Sequence, residues 1–85
     1  MILWDERKNQ KLRRERNISF EQIAELLLNK DYLAILEHPS RPNQQIFVVL
    51  LNGYVHAVPF ILDEDSNIIL KTAFPSRKLH KRYMR

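Results

Sequence analysis

The stretch QIFVVLLNGYVHAVPFIL, residues 45–62, decides the fold. Asn52-Gly53 sits between two apolar runs rich in β-branched and aromatic residues. Both residues accept the positive φ of a type I′ turn, so the spacing predicts a tight antiparallel hairpin. Pro59 has no N–H to give to a ladder, which predicts a bulge or a non-bonded position in the second strand. DEDSN, residues 63–67, makes the next turn, and IILKTAF, residues 68–74, the next strand. Three antiparallel strands in meander order follow. Because they are apolar on both faces, one face is expected to cover helices. The other is expected to be capped by the C-terminal segment or by a partner.

Working back toward the N-terminus, ISFEQIAELLLNK, residues 18–30, carries a complete helix start. Ser19 is the N-cap, Gln22 completes a capping box, and Ile18 and Ile23 are placed for a hydrophobic staple. Phe20, Ile23, Ala24 and Leu27 recur at helical spacing, and the helix should end near Asn29. Before it, MILW reads as a short strand, and Asp5 can cap a helix through ERKNQKLRRER. That helix is nearly all polar. Leu12 is its one true hydrophobe, so it should face solvent, charge partners or a ligand. Lys11 and Glu15 are spaced for a salt bridge, and Asn17 suits a left-handed helix end. YLAILEHPSRPNQQ, residues 32–45, is a short strand and a proline-broken loop that contains His38. The predicted class is α+β: one domain, residues 1–85, with a short N-terminal strand, two helices packed on an antiparallel meander sheet, and a basic C-terminal segment.

Charge is unevenly placed in a chain of 85 residues with net charge +4. Residues 1–20 hold six bases and three acids, residues 21–70 two bases and seven acids, and residues 71–85 six bases and no acid. Two basic ends meeting in space would make a surface for phosphates. Cysteine is absent, which excludes disulfides and thiolate metal sites and fits a reducing cytosol. No apolar run approaches the ~20 residues of a membrane span. Charge arrives after four residues of MILWDERK, unlike a secretory signal.

LWDERKNQKLRRERNISFEQ, residues 3–22, resembles the opening of the BrnT-like toxins of bacterial type II toxin–antitoxin systems. Those toxins carry W-D-x-x-K and then N-x-x-K-H-G-[IV]-S-F-E. Trp4, Asp5, Lys8, Ile18, Ser19, Phe20 and Glu21 fall at matching positions, while Leu12, Glu15, Arg16 and Asn17 replace the Asn, Lys, His and Gly. Arg77 matches the arginine that follows the last strand, and Tyr83 the tyrosine near the terminus at a shorter spacing. The resemblance implies a RelE-like fold and a cytoplasmic endoribonuclease that arrests translation by cleaving mRNA, with or without the ribosome. It also implies a cognate antitoxin protein that docks on the toxin, and contact with operator DNA only through that complex.

The residue types suit the chemistry. RNA carries its own nucleophile, the 2′-hydroxyl, so cleavage needs that group deprotonated, the phosphorane stabilised and the leaving oxygen protonated. Arginine donates in parallel to phosphate oxygens, and Lys, His or Tyr can move protons. Neither a metal nor another cofactor is required. The candidate catalytic residues are Arg77, Lys71, Tyr83 and His80, with Arg7, Lys8, Lys78, Lys81 and Arg82 as RNA-binding cations. His56, in a dense apolar strand, reads as structural, and His38 as loop. The alternative to an enzyme is a module of the same descent that binds nucleic acid or docks an antitoxin without catalysis.

Overall fold

The computed structural model describes residues 1–84; Arg85, the last base of the C-terminal stretch, lies outside the described residues. The order is β1 (Ile2–Trp4), α1 (Glu6–Arg16), α2 (Phe20–Leu28), β2 (Ala34–Glu37), β3 (Gln45–Leu51), β4 (Tyr54–Leu62), β5 (Ile68–Leu70), β6 (Phe74–Pro75) and α3 (Arg77–Tyr83). The fold is α+β, with strands arranged β1-β5-β4-β3-β2 and β6 beside the start of β4. The β3–β4 hairpin closes at Asn52 and Gly53, whose φ values of 52° and 79° are those the turn demands. No helix among the described residues is long and apolar enough to cross a membrane.

Three features depart from the expected architecture. β1 pairs with β5 in parallel, Ile2 to Ile68 and Trp4 to Leu70, so the sheet is mixed. The C-terminal basic segment is not a tail, because Arg77–Tyr83 forms a third helix with Ser76 as N-cap. The strand expected over residues 68–74 is broken in two. The break has a clear cause. Lys71 donates its N–H to the Pro59 carbonyl at 2.9 Å, and Pro59 has no N–H to return. Phe60 pairs with Leu70, so an unbroken register would put residue 73 opposite Ala57; Phe74 stands there instead. One inserted residue is a β-bulge. It lets Leu70 and Ala73, three apart, both enter the core while Lys71 and Thr72 turn away from it.

The core lies between the helices and one sheet face. Leu12 of α1 and Phe20, Ile23 and Leu27 of α2 pack with Phe47, Val49, Val58, Phe60 and Leu70. On the other face Val48, Val55 and Ala57 are buried too, while Leu50 and Phe74 stay more than a third exposed.

With one buried apolar side chain, α1 needs another attachment, and Asn9 supplies it. Asn9 is fully buried. Its Oδ1 accepts from the N–H of Phe20 at 2.8 Å, and its Nδ2 donates to Glu21 at 2.8 Å and Glu6 at 3.1 Å. Phe20 is the first residue of α2, so Asn9 satisfies a helix-start donor that the capping box leaves free. The box itself is complete: Ser19 Oγ accepts from Gln22 N–H, and Gln22 Oε1 from Ser19 N–H. Asn17 ends α1 with φ 54° and its carbonyl accepts from Asn52 Nδ2, tying the helix to the hairpin turn.

Replacing Ser19 by Ala should lower stability by about 0.5–2 kcal/mol through loss of the cap. Asn9→Ala strands a buried N–H and should remove about 1–3 kcal/mol before any cavity effect. Denaturant melts that rank Asn9→Ala no worse than Ser19→Ala would show that Asn9 is not the main tie.

The Glu21 carboxyl is held below its ordinary value, first by the Asn9 amide, then by its own backbone N–H and by Arg13. A lowered folded pKa contributes stability above the ordinary carboxylate range, and that stability fades as pH falls through the folded value. Glu21→Gln can still accept from Asn9 but cannot titrate. Its stability should therefore fall less steeply on acidification than the parent's, as melts taken across the acid range would record.

Candidate functional site

The bulge opens onto a cleft of about 470 Å³. One wall is the polar stripe of α1, where Lys8, Lys11, Glu15 and Arg16 follow helical spacing around Leu12. A second wall is the β2–β3 loop, which brings His38, Arg41 and Gln44. The third is the bulge, with Lys71, Thr72 and Phe74 beside Pro59. Five cations thus converge against one acid, Glu15. Lys11 and Glu15 do not pair; among the described residues the one ion pair is Arg13–Glu21, at 3.5 Å on the surface. Lys8 and Lys71, one from each basic stretch, line the same cleft, whereas Arg77 does not line it.

The loop wall is locally ordered. His38 N–H donates to the Gln44 carbonyl at 3.2 Å, and Gln44 N–H to the Arg41 carbonyl at 3.0 Å. The His38 ring folds back on the turn, where its Nδ1 accepts from the N–H groups of Ser40 and Arg41, both at 3.2 Å. Pro39 and Pro42 restrict the same turn.

The cleft lining includes Lys71 and Lys8 of the sequence-derived site residues. Arg7 is exposed on α1 and does not line it. The other six lie on α3, which packs on β4. Arg77, Lys78, Lys81 and Arg82 are exposed there, while Leu79, His80 and Tyr83 form its half-buried stripe. Arg77 is the first residue of a helix rather than a projection from a strand end. The Arg82 guanidinium lies 5.4 Å from the centre of the Tyr83 ring. His80 closes the edge of β4. Its Nδ1 accepts from Val55 N–H at 3.1 Å, and its ring stacks on Tyr54 at 4.1 Å, nearly parallel. The Val55 carbonyl accepts from Ser76 N–H at 3.0 Å, so α3 occupies the place of a continued strand. His56 is buried, and its Nδ1 donates to the Tyr54 carbonyl at 2.9 Å, a structural role.

The turn after β4 is closed by Asp63. Its oxygens accept from the N–H groups of Asp65 and Asn67 and from Asn67 Nδ2, and the last of these contributes most to holding its carboxyl below the ordinary range.

His38, Arg41, Lys11, Arg16 and Glu15 were not candidates from sequence order. His38 and Arg41 lie eighteen or more residues from either basic end, and only the folded chain sets them beside α1 and the bulge. Comparison with protein-family models, curated proteins and solved structures finds no match to this chain.

His80→Phe keeps an aromatic ring against Tyr54 but leaves the Val55 N–H without a partner. Such a loss costs about 1–3 kcal/mol at a buried site, and Val55 is fully buried. The variant should melt earlier than the parent; an unchanged melt would release His80 from this structural assignment.

Proposed function

We propose that the chain is a toxin component of a type II toxin–antitoxin system that cleaves RNA in the basic cleft without a metal ion. One observation carries this reading: Lys8, Lys11, Arg16, Arg41 and Lys71 converge from three separate segments on one concave surface with a single carboxylate. Convergent cations in a cleft concentrate a polyanion and stabilise the extra charge of a phosphorane. The resemblance of residues 3–22 to BrnT-like toxins points the same way.

In this reading Glu15 takes the proton of the 2′-hydroxyl. The 2′-oxygen bonds to phosphorus, the bond from phosphorus to the 5′-oxygen breaks, and the Lys71 ammonium returns a proton to the leaving oxygen. The products are a 2′,3′-cyclic phosphate and a 5′-hydroxyl. Arg41 and Arg16 hold the non-bridging oxygens. The exposed cations of α3 (Arg77, Lys78, Lys81 and Arg82) extend the strand's track by diffuse attraction. A cognate antitoxin restrains the toxin in the cytoplasm and carries it to operator DNA, and the ribosome is a further candidate surface for delivering mRNA.

A binding module without catalysis is the second reading, and one feature favours it. The nitrogen that would make His38 or His80 a base is already accepting a backbone N–H in each case. Induced expression, with growth and RNA integrity followed, separates the two. Lys71→Ala should lose cleavage by roughly 100- to 1,000-fold and should also weaken binding. Glu15→Gln should keep binding and lose cleavage. Arg77→Ala should weaken binding only modestly. Growth arrest that survives Lys71→Ala, or a parent that leaves RNA intact with and without ribosomes, would sink the enzymatic reading.

A further inference from the structure

Two backbone N–H groups point at Nδ1 of His38. A proton on that nitrogen would face both donors, so the ring is neutral and carries its proton on Nε2. In that form Nε2 can give a hydrogen bond and cannot accept a proton. The two ring nitrogens, separated by one carbon, point in diverging directions, so the turn that engages Nδ1 leaves Nε2 outside those contacts, and His38 is among the residues that line the cleft. The same turn supplies Arg41 to the same cleft, so a neutral donor and a guanidinium are presented by one short, internally bonded loop.

We infer that His38 is a phosphate-binding residue whose Nε2–H donates to a non-bridging oxygen of a phosphodiester, with Arg41 beside it. The inference rests on the reading of the cleft as an RNA site. The lysines attract the strand as mobile point charges. A ring fixed in one tautomer adds direction without adding charge, and so selects where along the cleft a phosphate comes to rest.

His38→Asn isolates that contribution. Asn can accept the same two backbone N–H groups as an Asx-turn, which preserves the loop, and it has nothing at the Nε2 position. Binding of a labelled single-stranded oligoribonucleotide to the full chain is measured across a salt series. His38→Asn should bind about tenfold more weakly. Its slope of log K against log salt should match the parent's, because no cation has been removed. Lys71→Ala should instead flatten that slope by about 0.7. Nitrogen NMR of the parent imidazole gives a test that needs no variant: Nδ1 should be bare, Nε2 protonated, and the Nε2 resonance should move when the oligoribonucleotide is added. Parent-like affinity in a folded His38→Asn, a flattened slope in that variant, a protonated Nδ1, or an Nε2 resonance unmoved at saturation overturns the inference and leaves the cleft reading standing. A parent that does not bind the oligoribonucleotide overturns both.

Discussion

The side chain of Asn9 is the tie on which the arrangement of the molecule depends. A helix of eleven residues with one buried hydrophobe has little reason to stay on a sheet. Asn9 resolves this by using its oxygen and both amide hydrogens, on Phe20, Glu6 and Glu21. Full satisfaction is what makes burial of an amide tolerable, since a buried polar group without partners is expensive. Because Asn9 anchors one side of α1, the neighbouring positions Lys8, Lys11, Glu15 and Arg16 are free to look elsewhere. A polar helix held by a polar clasp is thereby available as a wall of charge, which an apolar stripe on the same helix would not have allowed.

The opposite wall arises from a missing hydrogen. Pro59 interrupts the ladder at Lys71, and the inserted residue turns Lys71 and Thr72 out of the sheet while Ala73 returns to the core. Bulges commonly re-aim a side chain at a working surface. Here the proline is on β4 and the lysine in the break between β5 and β6, so neither alone describes the site. The β2–β3 loop completes it from a third direction, with His38 as the internal brace of its own turn.

Elements governed by local chemistry were legible in the sequence. Asp5 and Ser19 as caps, Asn17 as a left-handed helix end, Asn52-Gly53 as the hairpin turn and Pro59 as a disturbance all act within a few residues of themselves, and each is found where its chemistry places it. What escaped depends on distance. The parallel pairing of β1 with β5 joins the two ends of the chain, and no local pattern encodes it. Asn9 reads as one more polar residue on a polar helix, because its burial is set by α2. The segment after Pro75 reads as a charged tail; Leu79, His80 and Tyr83 do form a helical stripe, but charge outweighs it in so short a run. Lys8 and Lys71 are visible in the sequence as charges, but the charge pattern points to Arg77 as the residue the first helix would approach, and Arg77 lies outside the cleft lining. The contribution of His38 and Arg41 was not legible, since it requires the path of a loop.

The pairing of Ile2 with Ile68 also sets an order in time. Contacts between residues so far apart in sequence form slowly, because a long loop must close first. β1 cannot complete its pairing until β5 is in place, and the bulge lies directly after β5. The ties between α1 and α2, through Asn9 and the Ser19 box, span at most twelve residues and so close much shorter loops. The complete cleft comes into existence only when β5 and the bulge have joined the sheet.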